Sequence, residues 1–116
     1  LYALDGYDEI SLTGPTKAFS KSSERVLTPQ DFGVLPLEAS QIAGGDNVDS
    51  SAKIFMNVIQ NKGTQAQQEV VCANAGMAIA TALDLSPIEG FEKAKESLLS
   101  GKAFQALTKL QNLSKT

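Results

Sequence analysis

The chain has 116 residues, 42% of them apolar and 20% charged, with a formal net charge of −3. That is the composition of one globular domain with a core, and its scattered lysines give no electrostatic footprint for nucleic acid or an anionic membrane. A single cysteine, Cys72, and the lack of histidine exclude an internal disulfide and any histidine-based metal or triad chemistry within the chain. No apolar run approaches the roughly 20 residues needed to span a bilayer, and no basic segment followed by an apolar one marks a signal peptide. The expected setting is therefore the reducing cytoplasm.

Leu1-Tyr2-Ala3-Leu4 reads as the end of a strand and Asp5-Gly6 as a turn. The chain thus begins inside a strand and without an initiator methionine, as expected of a piece of something longer. Asp8 and Glu9 then fall on a loop at the strand's C-terminal edge, where open α/β sheets bind ligands. In a loop, two neighbouring carboxylates can be aimed at one cation, whereas in a regular strand they would face opposite sides. Magnesium suits such a pair because it takes oxygen ligands and is often held by one or two carboxylates plus substrate phosphates. On spacing alone, a solvated surface turn is the competing reading.

Lys17-Ala18-Phe19 and Arg25-Val26-Leu27, separated by a polar stretch, predict a β hairpin. Thr28-Pro29 starts a short helical turn that Gly33 ends, and Pro36 is expected to lead another between Leu35 and Ser40. Gly44 and Gly45 lack the pattern of a phosphate-cradling loop and read as turn residues, with Asp46 capping a helix from about Asn47 to Gln60. Val48, Ala52, Phe55 and Ile59 share one face of that helix.

Thr64 and Gln67 form a capping box for a helix that reaches about Leu83. It carries no charge from Val70 onward, so it should be the most buried helix. Its small residues allow close approach, and Gly76 costs about 1 kcal/mol of helix propensity that close packing would offset. Asn74 needs a partner, either in a loop or in a ligand. Cys72 reads as a small buried hydrophobe rather than a nucleophile, and Met77 and Ile79 as core filler. Ser86-Pro87-Ile88-Glu89 is a second capping box, opening a helix with Ile88, Phe91, Ala94 and Leu98 on one face. Gly101 breaks the chain before a last helix with a Phe104, Leu107, Leu110 stripe, and the polar tail after Leu113 should fray.

Asp5-Gly6-Tyr7-Asp8-Glu9-Ile10-Ser11, then Thr28-Pro29-Gln30-Asp31-Phe32-Gly33, Gly44-Gly45-Asp46 and Asn74-Ala75-Gly76 resemble in order and spacing the C-terminal part of anthranilate phosphoribosyltransferase. Glu89-Gly90 and Ser100-Gly101-Lys102-Ala103 continue the likeness over nearly the whole chain. The first run is the most specific part. Tyr2 stands where relatives often have a histidine, and Ser50 where an asparagine is frequent.

The resemblance implies the C-terminal part of a phosphoribosyltransferase and nucleoside-phosphorylase-like α/β domain, mostly helical, with a short hairpin and a strand end. It implies a magnesium-dependent enzyme of tryptophan biosynthesis that moves a phosphoribosyl group from phosphoribosyl pyrophosphate to anthranilate. It also implies a homodimer when full-length. Asp8 and Glu9 match the family's acidic pair, which holds magnesium beside the pyrophosphate. Residues 1–116 would be the C-terminal portion of the catalytic domain. The family's helical N-terminal domain, its glycine-rich phosphate loop and its Lys-His-Gly-Asn segment would lie upstream, so the chain by itself is expected to be inactive. Two other classes compete with this enzyme: a nucleic-acid-binding relative of the same fold, which would need a basic surface, and a structural or interface module, which would tolerate loss of both acids.

Overall fold

The computed structural model describes every residue except Asp5, Tyr7, Asp8, Ser20, Lys21, Ser22, Gly45, Asp46, Lys115 and Thr116. The described elements are a three-stranded antiparallel sheet in the order β1-β2-β3, two short 3-10 turns and four α-helices. The expected strand end is β1 (Tyr2–Ala3), and the expected hairpin is β2 (Thr16–Phe19) with β3 (Glu24–Leu27). Tyr2 pairs with Lys17, and Thr16 pairs with Leu27.

The period-two rule sets which β2 side chains face inward: Thr16 and Ala18 are buried, while Phe19 at the end is exposed. Lys17 and Glu24 lie on a cross-strand diagonal and make a salt bridge of 3.0 Å. Both are solvent-accessible, so the pair contributes little beyond fixing the hairpin register.

Pro29–Phe32 forms the first 3-10 turn. The Thr28 backbone N–H donates to the Asp31 carboxylate at 2.8 Å, and Gly33 ends the turn at φ 78°, a left-handed conformation that favours glycine. The second 3-10 turn is Ala39–Gln41, later than the expected turn led by Pro36. The reason is a long-range bond: the Leu37 N–H donates to the Leu12 carbonyl at 2.8 Å, which holds this segment against the β1–β2 connection and delays any turn until Glu38.

Helix α1 (Val48–Ile59) is capped by Asn47, whose side chain accepts from the Ser50 N–H at 2.9 Å while the Ser50 hydroxyl accepts from the Asn47 N–H at 3.2 Å. Asp46, the expected cap, lies outside the described residues, and the capping role falls to its neighbour. The anticipated apolar stripe is present but largely uncovered: Val48 is 83% exposed and Phe55 53%, and Val58 is the buried residue of α1. Phe55, Val58 and Ile59 instead line an apolar cleft of about 170 Å³ shared with Val71, Ile79 and Leu98.

Helix α2 (Gln65–Leu83) begins with the Thr64–Gln67 box, in which each residue's backbone N–H donates to the other's side chain. Helix α3 (Pro87–Leu99) begins with the Ser86–Glu89 box. The chain bends by 117° between them, and they cross at two glycines. A Cβ on Gly76 would sit 2.6 Å from the Phe91 nitrogen, and one on Gly90 would overlap the Gly76 carbonyl oxygen. This contact is why the sequence accepts the helix-propensity cost of Gly76.

The core lies between this helix pair and the sheet with its connecting loop. Ile10, Leu12, Ala18, Leu27 and Phe32 pack there with Cys72, Ala73, Phe91, Ala94 and Leu98, and the Phe32 and Phe91 rings meet at 6.4 Å between centroids. Met77 and Ile79 pack partly buried at its margin, as expected of core filler.

Helix α2 does not surpass α3 in burial as expected. Val71, Ala75, Ala78 and Leu83 are exposed along it, because its uncharged surface extends round more of the helix than α3 and the sheet cover. Of the predicted α3 face, Phe91, Ala94 and Leu98 are buried while Ile88 is 45% exposed. Helix α4 (Lys102–Ser114) follows Gly101 at φ 84° and has no buried residue. Phe104 and Leu107 of its predicted stripe are half-buried, and Leu110 is exposed.

Two outcomes are expected. Replacing either Gly76 or Gly90 by alanine should destabilise the fold by about 1–3 kcal/mol, because the crossing has no room for a methyl group; urea unfolding measures this, and a change under about 0.5 kcal/mol contradicts the crossing. The second concerns Glu89, whose carboxyl is held below its ordinary value of 4.5 by the Ser86 hydroxyl and then the Ser86 backbone N–H. A depressed folded-state pKa contributes stability above the unfolded value and loses it as the pH falls through the lower folded one. Ser86→Ala should move the Glu89 titration, followed by carboxyl NMR, back up toward 4.5.

Candidate functional site

The connection from β1 to β2 carries the acidic pair. Its two ends are tied by the Leu4 N–H donating to the Pro15 carbonyl at 2.9 Å, which closes the connection at its base. Gly6 at φ 105° supplies a backbone conformation that other residues avoid. Asp8 lies outside the described residues. Glu9 is exposed, and the next three residues are not: Ile10 is 3%, Ser11 2% and Leu12 1% exposed. A run of three consecutive buried residues breaks strand alternation, and it does so through Leu12, which adopts φ 63°, an uncommon conformation for a branched apolar residue.

Three contacts hold this limb. The Leu12 side chain is in the core and its carbonyl accepts from the Leu37 N–H at 2.8 Å. The Ser11 and Thr13 hydroxyls share a hydrogen bond of 2.8 Å. Asn74 of α2 supplies the third contact: its Oδ1 accepts from the Ile10 N–H at 3.0 Å, and its Nδ2 donates to the Ile10 carbonyl at 2.8 Å and to the Val70 carbonyl at 3.0 Å. The polar residue that needed a partner in α2 therefore has one in the loop bearing the acids. Its need was legible from an uncharged helix; its partner, 64 positions away, had no local signal.

Cys72 is buried, and burial pushes its thiol up against the smaller lowering effect of Lys95. It is a packed hydrophobe and a poor nucleophile. Gly44 is exposed with nothing near the place of a Cβ, as a surface turn allows; Gly45 and Asp46 lie outside the described residues.

Among the described residues no group of three or more Cys, Asp or Glu side chains converges, so any cation at the loop would need oxygens from elsewhere to complete its shell. The larger clefts are elsewhere. One of about 520 Å³ runs between Val34–Leu37 and the α2–α3 pair, and an open groove of about 1040 Å³ runs between Phe19, Arg25 and the Asn74–Thr81 side of α2. Glu9 lines neither.

Residues 2–104 match the model of a known family, described as the glycosyl transferase family, a/b domain. The chain belongs to that family. Among its curated relatives is the anthranilate phosphoribosyltransferase of Christiangramia forsetii, 62% identical over 114 residues, covering 98% of this chain and 34% of the relative. That of Flavobacterium johnsoniae is 58% identical, with the same coverage. The chain thus spans about a third of the length of these relatives.

Among solved structures, anthranilate phosphoribosyltransferase from Saccharomyces cerevisiae in complex with PRPP and Mg is 25% identical, with a TM-score of 0.82. The match covers 92% of this chain and 31% of that one. The expected fold class, a mostly helical piece of an α/β domain with a hairpin and a strand end, is the one found. In this glycosyl transferase domain, no single described helix is long and apolar enough to cross a membrane.

Asn74→Ala should cost about 2 kcal/mol, since it removes three hydrogen bonds and leaves the Ile10 peptide groups unpaired in a mostly buried setting. Chemical denaturation of the variant against the parent checks this, and an unchanged midpoint would contradict the clamp.

Proposed function

We propose that the chain is the C-terminal portion of the α/β catalytic domain of an anthranilate phosphoribosyltransferase. The reaction transfers a phosphoribosyl group from phosphoribosyl pyrophosphate to the amine of anthranilate and releases pyrophosphate. The observation that carries this reading is the near-complete coverage of the chain by anthranilate phosphoribosyltransferases, among them relatives at 62% and 58% identity. The helical N-terminal domain and the phosphate loop come from the remainder of the protein, which works as a homodimer in the cytoplasm.

Asp8 and Glu9 are the proposed magnesium ligands. The donor set fits: carboxylate oxygens are hard ligands, Glu9 is solvent-accessible, and the lack of a convergent third acid among the described residues suits an ion that completes its shell with water and substrate phosphate oxygens. When bound, magnesium supplies charge neutralisation to the leaving pyrophosphate. The chain's own part is positional. The Leu4–Pro15 tie closes the loop, the buried Ile10–Leu12 limb anchors it, and Glu9 stands at the point where the chain leaves solvent for the core. A carboxylate so placed meets the substrate without reorganising the loop, and the anthranilate amine is aligned by groups outside this chain.

The test is an Asp8→Asn, Glu9→Gln double variant of the whole protein. Its kcat/KM for phosphoribosyl pyrophosphate should fall by about 100-fold or more at fixed magnesium, with melting temperature nearly unchanged because Glu9 is exposed. Unchanged activity would remove the metal role. The isolated chain should show no turnover and only weak magnesium binding, about millimolar, without the substrate phosphates.

A further inference from the structure

We propose that Asn74 is a positioning residue for the acidic loop: its amide grips both polar groups of the Ile10 backbone and so fixes where the Glu9 carboxylate is presented to a cation carrying phosphate oxygens. The inference rests on the reading of Asp8 and Glu9 as magnesium ligands and extends it to a helix that bears no acid of the pair.

The geometry is that of a strand partner. In an antiparallel ladder a residue exchanges both its N–H and its C=O with one neighbour. Here the Asn74 side chain makes that exchange, accepting from the Ile10 N–H at 3.0 Å and donating to its carbonyl at 2.8 Å. The Ile10 N–H belongs to the planar peptide unit that also contains the Cα of Glu9. Fixing that N–H therefore fixes the plane and the Cα from which the carboxylate springs, leaving Glu9 mainly its side-chain rotations.

The second Nδ2 hydrogen is spent on the Val70 carbonyl at 3.0 Å, one turn back in α2, so the amide is itself locked in orientation and cannot swing away with the loop. On the far side of Ile10, the φ 63° of Leu12 and the Leu37–Leu12 bond prevent the limb from sliding. A loop held in this way before its ligand arrives loses less conformational freedom on binding. The consequence is specific: loss of the Asn74 amide should weaken cation binding at the acids and leave the acceptor side of the reaction alone.

The test uses the whole protein and does not depend on turnover. Calorimetric titration with magnesium chloride, in the presence of phosphoribosyl pyrophosphate and without anthranilate, is carried out on Asn74→Ala, on Asn74→Leu, which keeps bulk but no polar atom, and on Glu9→Gln. Both Asn74 variants should bind magnesium about tenfold more weakly, with anthranilate binding unchanged within about twofold. A shifted Glu9→Gln titration beside unshifted Asn74 variants overturns the positioning role alone. An unshifted Glu9→Gln titration overturns the metal reading beneath it and the inference with it. Amide hydrogen exchange on the unmodified protein supplies a readout that needs no variant to fold: the Ile10 N–H should exchange at least about 100-fold more slowly than an open-loop amide before any ligand is added. Exchange at the open-loop rate overturns the clamp.

Discussion

The fold depends on the contact between α2 and α3, where Gly76 and Gly90 let two backbones meet with no side chain between them. That approach brings Phe91, Ala94 and Leu98 of α3 down beside Cys72 and Ala73, and it makes the surface on which Phe32, Leu27 and Leu12 pack. A methyl group at either glycine would push the helices apart and open this core along its length. Interiors packed to crystal-like density do not absorb such a shift locally.

The same helix reaches the β1–β2 connection from its other side. Gly76 and Asn74 are two positions apart, which places them about 200° apart around an α-helix. One faces α3 and the other faces Ile10. Helix α2 is therefore a rigid spacer between the Gly76–Gly90 crossing and the exposed Glu9. The Glu9 carboxylate is exposed, yet the backbone that carries it is tied within one residue to the core. Solvent access for the carboxylate and a fixed origin for its side chain are obtained together.

What could be read from the sequence follows the range of the forces involved. The Thr64–Gln67 and Ser86–Glu89 boxes, the hairpin and the Gly33 stop are made by groups within a few residues of one another, and each was legible. Pro36 alone points to a turn earlier than the one formed, because the deciding bond, Leu37 to Leu12, spans distant parts of the chain. The α1 stripe was correctly patterned, but periodicity says which residues share a face and not whether another element covers it; Val48 and Phe55 are open. The requirement that Asn74 have a partner was local chemistry, whereas its pairing with Ile10 was tertiary. For the acidic pair, spacing left a solvated turn and a metal site both open, and family resemblance supplied the weight.

The most direct test of the central claim is crystallographic: the whole protein with phosphoribosyl pyrophosphate and manganese in place of magnesium, with the ion located by its anomalous signal. The account predicts a peak against the carboxylates of Asp8 and Glu9, with the Asn74 amide still bonded to Ile10. A manganese site away from both acids, or a loop that has released Ile10 to reach the metal, would contradict it.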